Sequence, residues 1–319
     1  MSAGWIAAAA VVVGLPLISY LVEWLRSAPV APERLAWPPA PDIPVRYVGV
    51  GGTRLRYITV GEGPALVLLH TLRTQLDMFQ RVVPTLAQHF RVYALDYPGH
   101  GYSEIPDADY TPDFFAASVA GFLEALEISD AVVVGESIGG SIALLLAARH
   151  HPSVRRVVAV NPYDYDGGRG IRRSSAIANV LFGLNDVPIL GTTVTRLRQY
   201  PIVKHILEGG VYRPGSMPPA LAREMYAVGN RRGHYRAFMS LVHHWAGWER
   251  GRSEYQSINL PVLLVYGDHD WSRVPEREAD RQAVPGATLR TVQNAGHFLA
   301  LDAPEELIAT VLNFTKRAA

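Results

Sequence analysis

Hydrophobic positions along the chain fall into three regimes. Residues 4–22, GWIAAAAVVVGLPLISYLV, run 19 positions without a charge and close at Glu23. That length just spans a bilayer core, and the stretch lacks the polar face of an amphipathic helix on a globular domain. Prolines then recur at 29, 32, 38, 39, 41 and 44; each removes a backbone donor, which predicts an extended linker over 27–45. From Val45 the pattern changes again. VRYVGVGGTRLRYITV alternates on either side of Gly51-Gly52 and predicts a β-hairpin. ALVLLH (65–70), RVYAL (91–95), AVVV (131–134), VVAV (157–160), PVLLVYG (261–267) and ATLRTV (287–292) read as strands, most of them buried on both faces.

Helical spacing fills the gaps. It covers 76–89, runs from the Thr111-Pro112 start to about Glu127, follows Ser137, and resumes after Asp302-Ala303-Pro304. Strands alternating with helices predict an α/β domain with a mostly parallel sheet and helices on both faces. Residues 161–255 break the rhythm with helical periodicity, several Gly/Pro breaks and no buried strand. They predict a helical cap inserted between two core segments, 46–160 and 256–319.

Charge and composition narrow the function. A net charge of +1 offers no dense basic face for a phosphate backbone, so no nucleic-acid partner is expected. The absence of cysteine removes disulfides, thiolate catalysis and cysteine metal sites together. The cap holds 13 Lys/Arg against 7 Asp/Glu, leaving it at +6 and the remainder at −5. At the N-terminus, Met1–Ile6 carry no Lys or Arg and no small-x-small cleavage site follows the apolar run. Residues 1–26 are therefore expected to be a retained single-pass transmembrane anchor rather than a cleaved signal. Arg26 and Arg34 follow it and nothing positive precedes it, which places the remainder on the cytoplasmic side. Oligomeric state is left open.

The candidate chemistry lies where AVVV runs into Gly135-Glu136-Ser137-Ile138-Gly139 and then into SIALLLAARH. A sharp strand-to-helix turn exposes a serine hydroxyl, and the flanking glycines let neighbouring backbone pass. The amide of Ile138, at the start of the helix, points toward the same spot and can hold a developing oxyanion. A serine needs a base and an orienting acid. Downstream, NAGHFLALD presents His297 in a loop, and VLLVYGDHDW ends in Asp268 and Asp270, of which Asp270 is chosen as the acid. Asp268 reads as a turn former, and Asp164, shortly after VVAV, is held in reserve as an acid.

With nucleophile, acid and histidine in this order, and DYPGHGYS (96–103) matching a D-x-P-G-x-G-x-S turn, the chain from about Val45 onward resembles the α/β-hydrolase family. The resemblance implies an eight-stranded sheet under a cap, with Ser137, Asp270 and His297 as the catalytic triad. It requires no metal or organic cofactor. It also implies that Leu72 supplies the second oxyanion amide. The family's usual His-Gly-x-Pro is here His70-Thr71-Leu72-Arg73, so the loop's shape is open, and Arg73 is a candidate contact for an anionic group of the substrate. His243-His244 beside Trp245 and Trp248 reads as cap packing, because adjacent helical residues diverge. The clusters Arg169, Arg172, Arg173 and Arg231, Arg232, Arg236 suit either an acidic or lipid partner or a solvated surface.

The expected function is hydrolysis of a carboxylic ester, with an apolar or lipid-like substrate, by a membrane-anchored serine hydrolase. The same triad also serves carbon–carbon bond hydrolysis and acyl transfer. A non-catalytic lipid-binding or scaffold protein on this fold is the remaining alternative.

Overall fold

In the computed structural model of the chain, the backbone is described for residues 3–316 and the side chains for residues 13–40 and 42–316. The proline-rich stretch departs from the expected linker. Leu35, Trp37 and Ile43 bury their side chains at alternate positions, and β1 (Arg34–Trp37) pairs antiparallel with β2 (Ala40–Val50), Leu35 lying opposite Ile43. Prolines 38 and 39 fall in the turn between the strands, and at this sheet edge proline costs no interior ladder bond. The hairpin follows as the alternation dictates. β3 (Thr53–Val60) pairs with β2, Val50 opposite Thr53, and Gly51 and Gly52 take φ of 55° and 79°, the mirror-image turn that suits twisted strands.

The apolar runs form β4 (Ala65–Leu69), β5 (Arg91–Leu95), β6 (Ala131–Glu136), β7 (Val154–Val160), β8 (Val262–Gly267) and β9 (Thr288–Val292). Among the described residues these make one nine-stranded sheet in the order β1-β2-β3-β5-β4-β6-β7-β8-β9. Strands from β5 to β9 pair in parallel and the first three add antiparallel. The ninth strand is the contribution of the proline-rich segment.

Helices cover the sheet as predicted, with one exception. The spacing over 76–89 yields only a 3-10 turn at Leu76–Phe79 and the short α2 (Val83–Leu86), because Pro84 can only open a helix there. α3 (Pro112–Ala125) starts on Thr111, whose side chain accepts the Phe114 amide at 3.1 Å. α4 (Ile138–Ala148) is buried along its whole length between the sheet and the cap. Between β7 and β8 the described chain is helical and contains no strand: α5 (Ala176–Leu184), α6 (Leu190–Arg196), α7 (Tyr200–Glu208), α8 (Pro219–Val228), α9 (His234–His244) and α10 (Ala246–Gly251), with 3-10 turns. α11 (Val274–Ala283), α12 (Leu299–Asp302) and α13 (Pro304–Lys316) complete the core.

The N-terminal segment forms α1 (Ala3–Trp24), but the transmembrane anchor expected over residues 1–26 is not supported. Among the described residues no helix is long and apolar enough to cross a membrane; the side chains of residues 1–12, on which part of that expectation rested, lie outside those described. The half of the helix whose side chains are described docks on α6. Ser19 is fully buried and accepts from Arg196 Nε at 2.9 Å, and Glu23, 5 % exposed, accepts the Gly233 amide at 2.8 Å and pairs with Arg198 at 3.3 Å. A bilayer would supply neither polar group with a partner.

Candidate active site

Five strand ends meet above the sheet, and each delivers one part of the site. β6 ends at Glu136 and α4 begins at Ile138, so Ser137 carries the whole reversal, at φ 60° and ψ −121°. A non-glycine residue held in that region is strained, and it persists only where its surroundings over-determine it. They do so here: a Cβ on Gly135 would lie 2.0 Å from the Gly139 carbonyl oxygen, and one on Gly139 would lie 2.3 Å from that of Leu69. The elbow therefore sits tightly against the end of β4.

β8 and β9 bring the partners. After β9, His297 is fully buried and its Nε2 lies 2.8 Å from Ser137 Oγ, while its Nδ1 lies 2.5 Å from Asp270 Oδ1 at the end of β8. A carboxylate accepts, so Nδ1 carries the proton and Nε2 faces the hydroxyl as acceptor. Burial alone would raise the Asp270 carboxyl. The His297 ring and both the amide and hydroxyl of Ser272 outweigh it and hold Asp270 below the usual carboxylate range. Asn161, at the end of β7, secures the loop by donating to the carbonyls of Gly296 and His297 at 3.1 and 2.9 Å.

The loop after β4 replaces the expected glycine and proline with Thr71 and Arg73, and hydrogen bonds give it its shape. His70 Nδ1 donates to the Thr71 carbonyl at 2.7 Å, and its Nε2 accepts the Tyr97 amide at 3.3 Å. Burial pushes this imidazole down to about 3, so it remains neutral. Thr74 Oγ1 also donates to the Thr71 carbonyl at 2.8 Å, and the Tyr97 hydroxyl donates to the His70 carbonyl at 3.0 Å. Leu72 lies buried in this loop and shares a small cavity with Trp271 and Phe298, the latter next in sequence to His297. Ile138 opens α4, so its amide has no carbonyl one turn back to satisfy it.

The other candidates separate cleanly. Asp164 is buried and accepts from the Tyr255 hydroxyl at 2.8 Å, while His297 Nδ1 is taken by Asp270. Asp268 accepts the Ala295 amide at 3.1 Å, as a turn former does. His244 bonds the Ser240 carbonyl at 2.8 Å, and among the described residues no cluster of three or more His, Asp or Glu is arranged to hold a metal. The D-x-P-G-x-G-x-S segment is structural: Asp96 pairs with the fully buried Arg56 at 3.1 Å and accepts the Leu76 and Tyr102 amides, while Ser103 Oγ donates to the Asp96 carbonyl at 2.7 Å. Two clustered arginines are struts rather than solvated surface. Arg173 pairs with Glu276 at 2.8 Å and donates to the Trp271 carbonyl at 3.0 Å, and Arg231 donates to the Ser103 carbonyl at 2.9 Å.

Sequence reasoning passed over several neighbours. Trp271 stacks on the His297 ring at 3.8 Å with 12° between planes, and its indole nitrogen donates to the Gly209 carbonyl of the cap. Its place directly after Asp270 was the available signal. Glu136, directly before the nucleophile, is buried and accepts the Ala300 amide at 3.0 Å, tying the elbow to the segment after His297. Arg198 and Glu23 are 175 residues apart, and no local pattern marks them as partners.

Similarity to known proteins agrees with this fold. A sequence model of the alpha/beta hydrolase fold matches residues 64–304. The chain is 26% identical over 281 residues to 2-hydroxy-6-oxo-6-(2'-aminophenyl)hexa-2,4-dienoic acid hydrolase of Metapseudomonas resinovorans, covering 86% of this chain and 91% of that one. It is 27% identical over 278 residues to pimeloyl-[acyl-carrier protein] methyl ester esterase of Nitrosospira multiformis, covering 84% and 100%. Among solved structures, the enol-lactonase of Burkholderia xenovorans LB400 superposes with a TM-score of 0.66 at 25% identity, over 85% of this chain and all of that one.

Proposed function

The chain belongs to the alpha/beta hydrolase fold family, and from that premise we propose that it is a serine hydrolase that cleaves a carboxylic ester with an apolar acyl part. The observation that carries this reading is the continuous hydrogen-bonded line from Asp270 through His297 to Ser137 Oγ, at 2.5 and 2.8 Å. Ser137 Oγ attacks the carbonyl carbon while His297 Nε2 takes its proton. The amides of Ile138 and Leu72 hold the oxyanion of the tetrahedral intermediate, and Asp270 stabilises the imidazolium without itself being protonated. His297 then gives the proton to the departing alcohol oxygen, leaving an acyl ester on Ser137. Water enters, loses a proton to His297, attacks the acyl carbon and releases the acid, returning the proton to Ser137.

An apolar acyl part is supported by what lines the cavities above the site: Leu181, Phe182, Val203, Ile206 and Phe238 in one, and Leu72, Leu207, Trp271 and Phe298 in the other. Arg73 lines both, which supports a role as a substrate contact. No metal or organic cofactor enters the scheme. Carbon–carbon bond hydrolysis is the second reading. It is favoured by the similarity, along most of both chains, to the 2-hydroxy-6-oxo-dienoic acid hydrolase. Acyl transfer to an alcohol would use the same acyl-enzyme.

Turnover of esters of one fluorogenic alcohol with acyl chains of increasing length tests the reading, beside a vinylogous diketone and with an added alcohol acceptor. Ester cleavage rising beyond acetate, with free acid as product, is expected. Cleavage of the diketone alone would move the assignment to carbon–carbon hydrolysis, and ester formation with the acceptor would move it to acyl transfer.

A further inference from the structure

A cavity of about 240 Å³ in the cap is lined mostly by apolar side chains from α5, α6, α7 and α9, with Asn185, Thr195 and two arginines, Arg73 and Arg198, among its lining residues. Arg73 also lines the smaller cavity beside Leu72 and Trp271, so it stands where the two spaces adjoin. Its backbone takes φ 57°, a conformation that costs an arginine energy and is found where function holds it. The guanidinium lies 4.3 Å from the centre of the Phe238 ring, and among the described residues it has neither an ion pair nor a hydrogen bond.

Arg198 is half satisfied. It is 6 % exposed, with Nε donating to the Gly229 carbonyl at 3.1 Å and Nη1 to the Thr195 carbonyl at 2.9 Å, while Nη2 is buried without a partner. Among the described residues, Glu23 is the one carboxylate paired within this group, and it is shared between Arg198 at 3.3 Å and Arg26 at 3.2 Å. Burial, then the charges of Arg198 and Arg26, push Arg73 down to about 9, as befits a cation short of an anion. A buried donor left unpaired is expensive, and an anionic ligand would supply acceptors to this group.

We propose that Arg73 and Arg198 form a carboxylate-binding subsite in the cap cavity, so that the preferred substrate carries a carboxylate at the far end of an apolar acyl chain. The proposal rests on the serine-hydrolase reading for the bond that is cleaved. A carboxylate suits the place, because guanidiniums pair well with a planar anion, and the other polar side chains of the lining, Asn185 and Thr195, are bonded to each other at 3.3 Å.

Two ester series of one fluorogenic alcohol test it, matched in acyl length, one ending in methyl and the other in carboxylate. Wild type is expected to favour the carboxylate member by about tenfold or more in kcat/KM at the best length. In Arg73→Met that ratio falls to about one, and Arg73→Lys restores part of it, which lost packing against Phe238 would not do. Calorimetric titration of Ser137→Ala with the matching dicarboxylic acid monoester reads binding without turnover; adding Arg73→Met should weaken it about tenfold. A wild-type ratio of one or less at every length overturns the subsite, as does a ratio unchanged in Arg73→Met. A phosphonate-ended chain preferred over the carboxylate also overturns it. Failure of the hydrolase reading looks different: neither series is turned over, while the titration still reports on the subsite.

Discussion

The ledge of strand ends under the cap and the cavity on the inner side of the cap treat charge in opposite ways. On the ledge, Asp270 is matched by His297 and Ser272, and His297 by Asp270 and Ser137. Facing the cap, Arg73, from the loop after β4, has no acidic partner among the described residues, and Arg198 keeps a buried nitrogen without a partner beside a mostly apolar cavity. Internal completeness marks groups that act on one another. Incompleteness, held in place by strained backbone, marks groups that await something from outside.

The sharpest way to break this contrast is to cut the ledge. Ser137→Ala and His297→Ala are each expected to lower kcat by ~10⁴-fold or more, with little further loss in the double variant because the two act as one unit. Additive losses would contradict the shared line of hydrogen bonds. Asp270→Asn should cost ~10³–10⁴-fold by favouring the wrong imidazole tautomer, and pre-steady-state acylation would show the loss in chemistry rather than in binding.

The cap side is probed through α1. Glu23→Gln keeps an acceptor for the Gly233 amide but removes the charge paired with Arg198. Denaturant unfolding should show a loss of about 2–3 kcal/mol, since a buried cation is left uncompensated. The same change should raise the preference for carboxylate-ended substrates, because the subsite becomes more positive.

The smallest effect concerns Glu136. Burial, against the amides of Ala300 and Leu299, raises its carboxyl to about 8 from an ordinary 4.5. The native state then holds a proton that the unfolded chain releases, so its contribution is full below pH 4.5 and declines as pH rises to about 8. Glu136→Gln removes the decline. It should be near neutral at about pH 5 and more stable than wild type by about 1–2 kcal/mol at about pH 8.5, read from paired melting curves. A difference independent of pH would place the effect in packing instead.

The ledge was readable in the sequence because its chemistry is local. GESIG between an apolar strand and an apolar helix, GDHDW after a strand and GHF before a helix each state a backbone geometry and a side chain together. The sheet was readable for the same reason, since buried parallel strands are continuous apolar runs. The first strand was not, because prolines 38, 39, 41 and 44 masked the period-two burial of Leu35, Trp37 and Ile43. The apolar count over 4–22 suggested a span; the pairing of Ser19 and Glu23 with arginines in α6 and just beyond it is a tertiary fact that no window along the chain contains. Arg73 stood out only by departing from an expected motif, and Arg198 did not stand out at all.

Mass spectrometry of the intact protein and its peptides after reaction with a fluorophosphonate tests the central claim most directly. One adduct per chain is predicted, mapped to Ser137, absent from Ser137→Ala and formed far more slowly in His297→Ala. An adduct on another residue, or equal labelling of all three proteins, would contradict the account.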